Sequence, residues 1–170
     1  MATLQAPRVF LGRYEQGPVL KLTGHVRYMA ARALRSVIDR LAEPQHGETI
    51  IIDLRGLETI DSTGMGLLAR VGCRSLQRGR RAVIVCGVLD VTVCLRSAAF
   101  DSIFVMTEDW PFDHEADLEE VSLDRAELQP DVMSRLMLDA HRDLASLSAE
   151  NQSTFGAVVS ALTAELDRKS

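Results

Sequence analysis

The chain has 170 residues, with 19 Lys and Arg against 24 Asp and Glu for a net charge of −5, 46% hydrophobic and 25% charged. That balance belongs to an ordinary folded globular protein, and the length suits one domain of about 100–150 residues with an appendage. No apolar run approaches the roughly 18 residues of a membrane helix, and the N-terminal MATLQAPRVF lacks a basic segment followed by an apolar one. Cys73, Cys86 and Cys94 form an odd set without C-x-x-C spacing. A disulfide scaffold and a zinc site are therefore not expected, and reduced thiols in a cytoplasm are.

In chain order, RVFLGRYEQGPVLKLTG reads as two short strands around residues 9–11 and 19–22, with a turn at Gln16-Gly17-Pro18. Residues 28–41 place Ala30, Leu34, Val37, Ile38 and Leu41 on one helical face. The β-branched run TIIIDL (49–54) predicts a strand buried on both sides. RGLETID reads as a turn into a second amphipathic helix over about 63–76, with Met65, Leu68 and Val71 inward. AVIVCG (82–87) is another buried strand, LDVTVCLRSA (89–98) a short helix and SIFVM (102–106) a last strand. Strand–helix alternation of this kind predicts a largely parallel sheet with helices packed on it.

Charge is unevenly divided. Residues 1–107 carry 14 Lys/Arg and 9 Asp/Glu, a net of +5, whereas residues 108–170 carry 5 and 15, a net of −10. Nine carboxylates fall between Glu108 and Glu127. Together with Pro111 and few aliphatics, that density predicts a solvated linker over 110–129. A sharper alternative has the acidic part fold back on the Arg-rich part. Nucleic-acid binding is not expected, because no basic stripe with interleaved aromatics is present.

Pro130 suits the first turn of a helix. Beyond it, Met133, Met137, Ala140, Leu144 and Leu147 follow the 4-3-4-3 spacing of a coiled-coil seam. The seam meets Asn151 and resumes at Phe155, Leu162 and Leu166, with a register shift through Asn151. A lone polar residue on a seam can fix register and partner. Gly156 marks one place where the helix can divide, so one long helix and a helical hairpin are both compatible with the pattern.

The most informative segment is IIIDLRGLETIDSTGMGLLARV, residues 50–71, where Asp61-Ser62-Thr63-Gly64 opens an amphipathic helix. Asp61 or Ser62 suits the cap of a helix whose first amides lack partners. A strand, D-S-[ST]-G-[LM]-G and an apolar helix in succession resemble the STAS domains of bacterial anti-sigma factor antagonists. LKLTGHVRYMAARALRSVIDRL resembles that family's strand–Gly–helix unit, and VLDVTVCLRSAAFDSIFVMTED its closing helix and strand, so the resemblance covers about residues 8–109. It implies an α/β STAS fold: a mostly parallel mixed sheet with helices on it over 1–109, then the acidic linker (110–129) and a helical extension (130–170). It further implies a phosphoacceptor at Ser62, with Thr63 as second choice. Asp61, Ser62, Thr63, Gly64 and Met65, with His25 and Arg27 from the neighbouring loop, would face a partner. That partner would be an anti-sigma factor with serine kinase activity, and a separate phosphatase would act on the phosphoserine.

Two features depart from the family pattern. Its loop motif G-E-[LIV]-D is here Gly24-His25-Val26-Arg27, which reverses the charge at the last position. The helical extension is additional, and Met133, Met137, Leu144, Leu147, Asn151 and Phe155 are expected either to form a homodimer, to pack on the chain's own STAS domain over the site, or to recruit a further partner. The four histidines, His25, His46, His114 and His141, are scattered. Ser62 lacks a G-x-S-x-G setting, and no phosphate-binding glycine loop is present. No catalysis, cofactor or metal is expected. The two functional readings are a phosphorylation-switched binding protein and a non-switching STAS scaffold or subunit, as in a stressosome-like or lipid-transport complex.

Overall fold

The computed structural model describes residues 5–41, 48–123 and 129–169. Strands β1 (Arg8–Tyr14) and β2 (Gly17–Val26) form an antiparallel hairpin, after which α1 (Ala31–Leu41) leads to β3 (Ile51–Ile60). Helix α2 (Ser62–Gln77), β4 (Ala82–Val85), α3 (Leu89–Ser97) and β5 (Phe104–Thr107) complete the expected alternation. Three pairings, β2–β3, β3–β4 and β4–β5, are parallel. With β6 (Asp117–Val121) the sheet has six strands in the order β5-β4-β3-β2-β1-β6. The chain has the mixed α/β STAS fold, extended by a helical hairpin, α4 (Pro130–Ala145) and α5 (Ala149–Lys169).

Period-two burial explains the strands. In β2, Leu20 and Leu22 enter the main core with Ile52 and Leu54 of β3, while Val19 and Ile51 face the opposite side. Helix α1 buries Leu34, Val37, Ile38 and Leu41 against the same core, as its periodicity predicts. The turn expected at residues 55–61 is instead strand: β3 continues to Ile60 because β2 offers a parallel partner that far, pairing Leu57 with Gly24 and Ile60 with Val26. Two register irregularities, each placing one extra residue on β3, absorb its polar, Gly-containing stretch.

The acidic segment also differs from expectation. Residues 117–121 form the edge strand β6, antiparallel to β1, so a solvated connector does not describe this stretch. Upstream of it, Trp110, Phe112 and Ala116 pack with Tyr14 over Val19, Ile51 and Val85 on the second face of the sheet. Glu115 pairs with Arg55 at 2.7 Å, and Arg8 with Glu120 at 2.6 Å. Charge density alone suggested solvation; a few aromatics and a free β1 edge were enough to hold the chain down. Residues 124–128 of the linker lie outside the described residues.

The extension divides at residues 146–148, not at Gly156, through which α5 runs unbroken. Ser148 Oγ accepts from the Asn151 amide at 3.0 Å and starts α5 as a cap. Ser146 Oγ donates to Asp143 O at 2.7 Å at the end of α4. No helix among the described residues is long and apolar enough to cross a membrane.

Candidate functional site

Asp61 is the N-cap of α2: its Oδ1 accepts from the Gly64 amide at 2.8 Å. Its Oδ2 accepts from the Tyr28 amide at 2.6 Å, so one carboxylate ties the helix start to the chain leaving β2. The Asp61 amide in turn donates to Val26 O at 3.1 Å. Ser62 follows as the first helical residue, half-buried, while Thr63, Gly64 and Met65 are buried. A Cβ at Gly64 would lie 2.8 Å from Ile60 Cγ1, and Met65 Sδ meets Cys94 Sγ at 3.6 Å. Of the two candidate hydroxyls, Ser62 therefore reaches the surface of the fold and Thr63 packs inside it.

Helix α4 lies on that surface. His141, 3% exposed, brings Nε2 to 2.9 Å from Ser62 Oγ, and its Nδ1 to 2.7 Å from Met137 O. A carbonyl only accepts, so Nδ1 carries the proton; in the neutral ring Nε2 then accepts from the Ser62 hydroxyl. Below this bond the two helices touch backbone to backbone: a Cβ at Gly66 would sit 2.0 Å from Ala140 O. Further along, Arg70 Nε donates to Asp143 Oδ2 at 2.8 Å, and Arg35 of α1 lies 3.5 Å from Asp139. Sequence reading placed none of His141, Gly66, Arg70 or Asp143 in a site. The signal available was the opposed net charge of the two parts of the chain.

The seam residues sit within this packing. Leu144 is fully buried, Met133, Met137, Leu147 and Phe155 are half-buried, and the Phe155 ring lies 6.2 Å from that of His141. The stripe is thus largely taken up by α2 and α5 of the same chain. Asn151, 2% exposed, is no register residue between copies: its Nδ2 donates to Leu144 O at 2.9 Å and to Ala98 O at 3.0 Å, joining the hairpin to the end of α3.

From the neighbouring segment, His25 lies in β2 and not in an exposed loop. It shares a hydrogen bond with Thr59 Oγ1 at 2.8 Å and meets Glu58 at 2.9 Å. Arg27 is exposed, as are Tyr28 at 46% and Met29 at 76%. Burial raises the thiol pKa of Cys73 and Cys94, which keeps both in the thiol form and suits their packing role.

The family model described as "Mlab, STAS domain" matches residues 9–93, half of the chain. The chain belongs to the STAS domain family. No curated protein matches it. Within this STAS chain, the matched residues run from β1 into α3 and include Asp61, Ser62 and the whole of α2. Membership gives the chain a STAS regulatory role in general terms, one of protein–protein interaction.

Proposed function

We propose that the protein is a phosphorylation-switched binding module that acts by association and not by catalysis. The observation that supports this most directly is the position of Ser62, the first helical residue after the Asp61 cap, half-buried with its hydroxyl against His141 of α4 while Thr63 is buried. Unmodified, the surface around Ser62 binds a regulator of the anti-sigma factor type that carries serine kinase activity. Phosphorylation adds about −1.5 to −2 charges at Oγ. A helix N-terminus tolerates an anion, so α2 itself survives the modification. The phosphate also removes the hydrogen that Ser62 donates to His141. The loss falls on whatever packs over the site, by bulk and by repulsion of its carboxylates. A phosphoserine phosphatase resets the module.

A second reading is a non-switching scaffold or subunit of a larger assembly, of the stressosome-like or lipid-transport kind. The covering of Ser62 by α4 favours it, because a serine committed to His141 serves packing. Affinity capture from the native cell with wild type, Ser62→Ala and Ser62→Asp as baits separates the two. A kinase-fold protein retained by wild type and Ala but lost with Asp supports switching. The same partners on all three baits would leave the scaffold reading.

A further inference from the structure

We infer that α4 is a built-in occupant of a helix-docking surface on α2, and that the external partner displacing it presents a helix with a small residue followed three positions later by a carboxylate. The inference builds on the proposed reading of Ser62 as lying on the partner-binding face.

The shape of the surface selects the occupant. At Gly66 the backbones of α2 and α4 are in contact, since a Cβ there would sit 2.0 Å from Ala140 O. Only a small side chain on the incoming helix leaves room for so close an approach. One turn on, the Arg70 guanidinium, its side chain 12% exposed, takes Asp143 at 2.8 Å. An occupant without an acid there would leave the largely buried Arg70 Nε without its acceptor, with only the longer contact to Asp39 of α1 at 3.7 Å remaining, which is costly. One turn before Gly66, Ser62 needs a hydrogen-bond partner, and His141 supplies it. Ala140 and Asp143 thus define a small-x-x-acid helix that fits α2, with His141 inside the motif.

The same contacts make α4 separable from the domain it covers. Among the buried residues of the main core cluster α4 supplies Leu136, Ala140 and Leu144, while the others come from residues 9–104. Its remaining ties to α1 and α2 include the ion pairs Arg35–Asp139 and Arg70–Asp143 and the Ser62–His141 bond. The Arg35–Asp139 pair, the more exposed of the two, is weakened by salt. A competing helix that reproduces them replaces α4 with little change in the number of paired charges.

The test uses the full chain opened from the α4 side. Ala140→Trp puts bulk against Gly66 without altering α2. The probe is a fluorescein-labelled peptide of wild-type residues 129–148, followed by anisotropy. The peptide is expected to bind Ala140→Trp at least tenfold more tightly than it binds wild type, and a peptide carrying Asp143→Lys at least fivefold more weakly than the unaltered one. Hydrogen exchange on the wild-type chain is a second measurement that needs no variant: α4 amides should exchange well before those of β2 and β3. Exchange of α4 only with global unfolding, or equal peptide binding to wild type and Ala140→Trp, overturns the inference. Adding Ser62→Asp to the opened chain separates it from the switch. Loss of peptide binding supports both; retained binding leaves the docking surface standing and overturns phosphorylation as its control.

Discussion

On the face toward α1, α2 and α4 the sheet turns Leu20, Leu22, Ile52, Leu54 and Ile84 into a continuous apolar core. On the other face Val19, Ile51 and Val85 are followed along the same strands by Lys21, Asp53 and Arg55. Helices close the first face, and an aromatic, acidic strap over residues 110–118 closes the second. Apolar burial without direction holds the first, whereas the second depends on specific pairs. Asp53 is 1% exposed and accepts from Arg55 Nε at 3.0 Å and Nη2 at 2.9 Å, with Lys21 at 3.6 Å. Arg55 in turn reaches Glu115 and stacks 5.2 Å from the Trp110 ring. Beside its aromatics and the β1 edge, the strap has its acids matched by cations on the strands beneath.

That difference is broken most sharply at Asp53. Asp53→Ala leaves Arg55 and Lys21 without their shared carboxylate. It is expected to cost about 3 kcal/mol, the low end for opening a buried pair because both cations are partly exposed, as measured by urea unfolding at pH 7. Burial pushes the Asp53 carboxyl up, but hydrogen bonds from the Arg55 side chain and amide, with the charges of Arg55 and Lys21, outweigh it and hold the group below its usual range. A carboxyl lowered on folding adds stability above its unfolded value and loses it as pH falls through the folded one. The gap in stability between wild type and Asp53→Asn should therefore be full at pH 7 and shrink below about pH 4. A gap independent of pH would remove the ion pair from the account of this face.

Next in size is Asn151→Ala, which removes the side-chain donor to Ala98 O and one of the donors to Leu144 O, the latter keeping the Leu147 amide at 3.3 Å. A loss of about 2 kcal/mol is expected in the same unfolding measurement, the usual cost of buried groups left unpaired. An effect confined to α4 and α5 amides in hydrogen exchange would mark the hairpin as a separately opening unit.

Smaller still is the bond over the candidate site. A double-mutant cycle of Ser62→Ala and His141→Ala should give a coupling of about 1 kcal/mol. Zero coupling would mean that α4 is held by Gly66, Arg70 and its apolar residues alone. The smallest effect is expected at the β1–β6 edge, where Arg8 and Glu120 are solvated. Arg8→Ala should leave the melting temperature unchanged within error, since exposed pairs contribute little.

How far the site could be read in the sequence follows from the range of its interactions. Asp61, Ser62 and Gly64 are contiguous, and a cap acts over three residues, so the start of α2 was legible as a local pattern. The strands and helices through residue 107 were legible for the same reason, their burial repeating at period two or 3.6. The continuation of β3 to Ile60 was not, because Gly56 and Glu58 carry little strand preference and the stretch is held by pairing with β2. Nor was β6, whose acidic residues become a strand only because β1 has an open edge.

The sequence by itself determined the family and the element order through β5. It also placed an exposable hydroxyl at the head of a helix and set a basic domain before an acidic tail. Tertiary structure alone decided that the tail returns as a hairpin, that it divides at Ser146–Ser148, and that His141 meets a serine 79 positions earlier. The 4-3-4-3 stripe of α4 states that an apolar face must be buried, but a hydrophobic stripe carries no address. The address came from shape and charge in three dimensions: a glycine that lets two helices touch, and Arg35 and Arg70 standing where Asp139 and Asp143 arrive.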